Sequence, residues 1–136
     1  MALFGTKKYD ESPEAKAHRV ALTGELTFEL VPLKSLDAAV QALPAGAEVS
    51  VTCSPTKGIE ETQRLTAELQ SQGFVPIPHV SARMVRDHTH TVELAEWCRE
   101  LGLRQIFIVG GDAEVPGEYP GAVEFLADFL TTSHGI

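Results

Sequence analysis

Gln105-Ile106-Phe107-Ile108-Val109-Gly110-Gly111-Asp112 is the stretch that decides how the chain folds. Four consecutive apolar residues, rich in β-branched and aromatic side chains, run into a Gly-Gly-Asp corner. That pattern reads as a strand buried on both faces and ending in a tight, polar-tipped turn. Such a strand needs parallel neighbours. Upstream lie three further strand candidates, Leu26–Val31, Glu48–Cys53 and Phe74–Val80, each followed by a helical stretch and each carrying a polar residue near its carboxyl end: Glu29, Thr52 and His79. In a parallel sheet these tips fall on one rim, and ligands of α/β folds bind at that rim. Glu29, Thr52, His79 and Asp112 are therefore the candidate site.

The helices between the strands are marked by their own chemistry. Ser12-Pro13 reads as an N-cap followed by proline at the first helical position, with Glu14–Leu22 as a short helix stopped by Gly24. Leu36, Ala39, Val40 and Leu43 form an amphipathic stripe capped by Ser35. A third stripe, Ile59, Thr62, Leu65, Thr66 and Leu69, is closed by Gly73, and a fourth helix, Val92–Leu101, by Gly102. The last helix, from Gly121 to Leu130, offers Ala122, Phe125, Leu126 and Phe129 as its core face. His88 and His90 read as surface loop residues, and Met1–Glu11 as a loose tail. Pro76 and Pro78 cannot donate to a ladder, so the third strand must turn their missing N–H groups away from a partner.

Repeated β-α units with right-handed crossovers dictate a parallel sheet. Two shapes satisfy that rule, an open doubly wound sheet and a segment of a (β/α)8 TIM barrel. Small polar Thr27, Ser50 and Thr52, set against bulky Phe28, Leu30, Val49 and Val51, favour a barrel wall with helices outside. A whole barrel takes about 250 residues, so 136 residues make four parallel β-α units, half a barrel. Residues 1–24 then form a tail and short helix, and 25–136 the half-barrel.

Composition removes other classes. A formal net charge of −8 argues against nucleic acid, whose binding rests on clustered Lys and Arg. Cys53 and Cys98 have neither the pairing of a metal motif nor the density of a disulfide scaffold, so both read as small core residues and no metal site is expected. No apolar run reaches the ~18 residues of a membrane span, and the expected place is the cytoplasm.

In this order the strand ends resemble the N-terminal half of the methylenetetrahydrofolate reductase family, from about Leu26 to Leu130. Thr27-Phe28-Glu29-Leu30-Val31-Pro32 is similar to the family's Ser-Phe-Glu-Phe-Phe-Pro, and Val49-Ser50-Val51-Thr52 to its Val-Ser-Val-Thr. Pro78-His79-Val80 stands where the family has a strand histidine, and Gly110-Gly111-Asp112 where it has Arg-Gly-Asp. The resemblance implies a flavin-dependent oxidoreductase of one-carbon metabolism and methionine biosynthesis. Such an enzyme moves a hydride from NAD(P)H through FAD to 5,10-methylenetetrahydrofolate. It casts Glu29 as the acid that activates the folate and Asp112 as a catalytic carboxylate near both folate and flavin. Thr52, His79, Val109, Gly110 and Gly111, with Asp112, would contact the flavin. Two departures fall on the flavin side: Gly110 replaces the arginine, and Cys53-Ser54-Pro55-Thr56-Lys57 replaces a Gly-rich loop. Either another cation compensates, with Lys57 the nearest candidate by topology, or the flavin is held weakly and the nicotinamide delivers its hydride directly.

Each of these residues also has a plain structural reading: an ion pair for Glu29, a strand residue in Thr52, a core histidine in His79, a turn cap in Asp112. A wall of four strands moreover leaves two open edges. The alternative function is thus a non-catalytic half-barrel that binds a folate-like ligand or assembles with a partner, either as a homo-oligomer or with a second half-barrel.

Overall fold

The computed structural model describes residues 12–136, so the expected tail over 1–11 lies outside the described residues. Helix α1 spans Pro13–Gly24, β1 Thr27–Leu30, α2 Leu36–Gln41, β2 Glu48–Val51, α3 Ile59–Ser71 and β3 Val75–Ser81. A 3-10 turn over Ala82–Met84 leads into α4, His88–Leu101, which is followed by β4, Phe107–Val109, and α5, Ala122–Phe129. The protein is an α/β fold with one four-stranded sheet, all strands parallel, in the order β1-β2-β3-β4.

Sequential order has a consequence for the helices. Right-handed crossovers that never reverse direction place every connecting helix on the same side, and two hydrophobic cores show it. Leu30, Val49 and Val51 pack with Leu65 and Leu69 of α3 and Leu36 and Val40 of α2. Val80 and half-buried Ile108 pack with Leu94 of α4 and with Phe125 and Phe129 of α5. The register puts these strand residues on one face, because Leu30 stands opposite Val51, Val51 opposite Pro78, and Val80 opposite Ile108. On the other face Thr27, Glu29, Glu48, Ser50, Val75, Ile77, His79 and Phe107 are exposed or half-buried. Helices α2 to α5 thus share one face of the sheet, in contrast to the double-sided cover of an open wound sheet.

Local chemistry explains most boundaries. The Ser12 hydroxyl accepts from Ala15 N at 3.2 Å and Pro13 follows it at the first helical position. All five stripe residues of α3 are buried, and Gly73 turns the chain at φ +88. Gly102 closes α4 in the left-handed region at φ +64. The prolines of β3 resolve cleanly. Val75 N donates to Ala47 O at 3.0 Å, so alternate residues Pro76 and Pro78 aim their nitrogens at the β4 side, where pairing begins only at His79.

Five expectations are corrected. The deciding stretch is not buried on both faces: β4 is a three-residue edge strand, and Phe107 on the bare face is 54% exposed. Helix α4 starts one turn earlier than expected because the Asp87 carboxylate accepts from His90 N at 2.8 Å. His88 and His90 are thus helical, and His90 is buried with its Nδ1 accepting from Arg86 N. Ser35 precedes α2 without a side-chain capping bond. Leu126 is 41% exposed and leaves the core of α5 to Phe125 and Phe129.

Candidate functional site

The site is assembled by strand pairing. Thr52 lies one residue past β2, and its backbone N donates to Leu30 O at 3.0 Å, so β1 and β2 stay joined to their tips. That seats the Thr52 hydroxyl beside β1, where it donates to Glu29 Oε1 at 3.1 Å. Thr27 donates to Glu48 Oε2 in the same way at 3.2 Å. The bare face therefore carries a short ladder of carboxylate–hydroxyl pairs between β1 and β2.

His79 continues the row on β3. Its ring lies 4.9 Å from that of Phe107, its cross-strand partner, with the planes tilted by 54°. Burial pushes the imidazole pKa below its usual range, and the Glu29 carboxylate offsets part of that shift, so the acid and the imidazole share one electrostatic neighbourhood. At neutral pH this is an ionisable carboxyl beside a neutral imidazole, on a surface that also offers Ile77 and Phe107 as apolar platforms. Such a surface can hold a flat heterocycle and exchange a proton with it.

Val109, Gly110 and Gly111 follow at the β4 tip. Gly110 O accepts from Arg83 N at 3.0 Å, and a side chain at Gly110 would meet open space. Gly111 is different. Its φ is +87, and a Cβ there would stand 1.8 Å from the Ser81 Oγ. The bareness of Gly111 thus serves the protein itself, making room for a buried hydroxyl that has no hydrogen-bond partner. Asp112 is exposed beyond this turn, and no hydrogen bond joins it to Glu29, Thr52 or His79. Thr52 and Glu29 are joined by a hydrogen bond and His79 feels the Glu29 charge, whereas Asp112 makes no hydrogen bond to any of the three.

Arg83 is the residue that sequence reasoning missed. Its Nε and Nη2 donate to Ala113 O at 2.9 and 2.7 Å, Nη2 also reaches Glu114 O at 3.2 Å, and Nη1 reaches Pro120 O at 3.4 Å. Its backbone O accepts from Gly117 N at 2.9 Å. The guanidinium is committed to carbonyls of the β4–α5 loop, so it staples the loop that carries Gly110–Asp112. A single arginine between two apolar runs gave no periodic signal by which to find it. Lys57 sits exposed in the turn before α3, and its charge acts on Glu61 at the start of that helix.

A second polar cluster ties α5 to α4. His88 Nδ1 lies 2.9 Å from both Asp128 carboxylate oxygens, the Tyr119 hydroxyl donates to the same carboxylate, and Thr91 Oγ1 is 2.7 Å from that hydroxyl. The bond to Asp128 raises the His88 pKa, while Tyr119 and His88 together hold Asp128 below the usual carboxylate range. Burial, aided by Asp128, pushes Tyr119 up to about 12.

Both cysteines are free thiols. Burial raises Cys53, whose Sγ lies 3.8 Å from Met84 Sδ, and pushes Cys98 up to about 12, which keeps each protonated at neutral pH. Among the described residues no group of three or more His, Cys, Asp or Glu is placed to hold a metal, and no helix is long and apolar enough to cross a membrane. No family model matches the chain.

Proposed function

We propose that this chain is one half of a (β/α)8 barrel that binds a folate and serves hydride transfer of the methylenetetrahydrofolate reductase type, in the cytoplasm. The observation that carries the reading is the row of Glu29, Thr52 and His79 on the face that the helices leave bare, with Thr52 hydrogen-bonded to Glu29 at 3.1 Å. Those are the strand-end residues on which the resemblance to that family rests. Forming a methylene-iminium group from the bridging methylene breaks one of its two C–N bonds, and the departing nitrogen must take a proton before hydride adds to the carbon; Glu29 is the exposed carboxyl that would supply it. Thr52 orients it through the hydrogen bond. Asp112 would bind the pterin's amide and amine from the β4 tip.

A flavin fits this surface in part. The Thr52 hydroxyl, the neutral His79 imidazole and the backbone of Val109–Gly111 suit its ring. Its phosphates need a cation, however, and Arg83 is already committed to loop carbonyls. Lys57 is left for them. When bound, FAD would relay the hydride from NAD(P)H to the folate.

Purified protein mixed with NAD(P)H, FAD and methylenetetrahydrofolate should oxidise the nicotinamide only when the folate is present. Glu29→Gln should lower that rate about a hundredfold or more while the circular dichroism stays that of the parent. No folate-dependent oxidation, together with no binding of folate or flavin by calorimetry, overturns the reading.

A further inference from the structure

The exposed apolar side chains are not scattered. Among the described residues every large hydrophobic that is exposed belongs either to the chain up to Leu33 or to the chain from Phe107 onward, and none lies between. Six of them belong to the outer units of the sheet, whose edge strands are β1 and β4. Leu26, Val31 and Leu33, exposed at 52, 43 and 64%, flank β1; Phe107, Val123 and Leu126, at 54, 76 and 41%, belong to β4 and α5. Val123 and Leu126 stand one turn apart on α5, both left in solvent. Scattered exposed hydrophobics need no explanation; apolar residues gathered at both open strand edges indicate an interface.

We propose that each edge is closed by the opposite edge of a second copy of this chain, β4 pairing in parallel with the partner's β1 about a two-fold axis. The inference rests on the half-barrel reading and adds its occupant. A second copy satisfies both edges with one rotation and yields eight parallel strands, the number at which a one-sided parallel wall closes with a filled interior. Charge agrees with this pairing. β1 is preceded by exposed Glu25 and β4 by exposed Arg104, so the amino ends of the two edge strands carry opposite signs. The carboxyl ends do the same, with Lys34 beyond β1 and Asp112 beyond β4. Closure would therefore bring the partner's Lys34 toward the Gly110–Asp112 turn, adding a second cation to Lys57 on the flavin side of the site.

Analytical ultracentrifugation of the 136-residue protein at tens of micromolar tests the proposal without any ligand. A dimer is expected. Phe107→Glu should dissociate it, while circular dichroism remains that of the parent. Arg104→Glu alone and Glu25→Arg alone should each raise the dimer dissociation constant about tenfold, by setting like charges together, and the double variant should restore it. A monomer, a dimer indifferent to all these changes, or a ladder of species growing with concentration overturns the proposal. A monomer that still oxidises NAD(P)H with folate overturns the dimer alone; a swap-sensitive dimer without folate chemistry overturns the proposed function alone.

Discussion

The two middle units of the wall and the two outer ones are built from the same parts and finished differently. In the middle, α3 and α4 run for 13 and 14 residues, are closed by glycines in the left-handed region, and bury a complete stripe. Outside, α2 and α5 run for 6 and 8 residues, and β4 for 3, with apolar side chains left in solvent. Val49 and Val51 on β2 have no exposed surface, whereas Phe107 on β4 exposes half of its own. A parallel β-α unit is thus completed by its neighbours on both sides, and its own sequence pattern does not say whether both are present.

Core truncation should separate the two classes most strongly. Leu69→Ala, in α3 where the side chain is fully buried, should cost about 2–5 kcal/mol in urea unfolding. Val123→Ala, at 76% exposure on α5, should stay within about 0.5 kcal/mol for the isolated chain. Equal losses would mean that α5 is packed as tightly as α3, and the contrast would be gone.

The next largest effect lies at the tip of β4, where the outer unit does meet a middle one. Gly111→Ala combines a positive φ with an overlap on Ser81 Oγ, and should cost about 1–3 kcal/mol. Adding Ser81→Gly should recover the overlap and leave the backbone strain. Gly110→Ala, whose added carbon meets nothing, should change stability by less than about 1 kcal/mol. If the two alanine variants melt alike, the β4 tip is not seated on β3 as described.

Histidine titration gives the smallest and sharpest contrast. By NMR, His88, which joins α4 to the outer helix α5, should titrate above the ordinary 6.5, and His79 and His90 below it. The signs for stability are then opposite. The raised His88 contributes below pH 6.5 and loses its contribution as pH rises through its folded value. Depressed His79 and His90 leave stability intact above 6.5 and weaken it as pH falls toward their folded values. Asp128→Asn should return His88 toward 6.5; an unmoved midpoint would show that Asp128 is not its partner.

Periodic features were readable beforehand and singular ones were not. The stripe Ile59–Leu69 and the stop glycines Gly73 and Gly102 stand in the structure as the residue spacing requires, because helix burial repeats along the chain. The parallel sheet followed from repetition too. The apolar run of β4 misled because an edge strand and a central strand can share one composition, and only the neighbour that is present decides between them. The start of α4 was hidden by His88-Thr89-His90, whose polarity masks a buried His90. Of the site, the row on the bare face could be placed from strand alternation alone, while the Arg83 staple depends on loop geometry that carries no period.

Pro76 and Pro78 act as a one-way stop on pairing. With no N–H to give on the β4 side, β3 can hold a neighbour there fully only from His79 onward. A strand that slid two residues toward the amino end of β3 would face a silent nitrogen, and one that slid further would face two. The bare lower flank of β3 is equally unrewarding to a strand from another molecule. Two missing donors therefore set where β4 attaches and deny the commonest route to misregistered pairing, at no cost to the hydrogen bonds that β2 already makes.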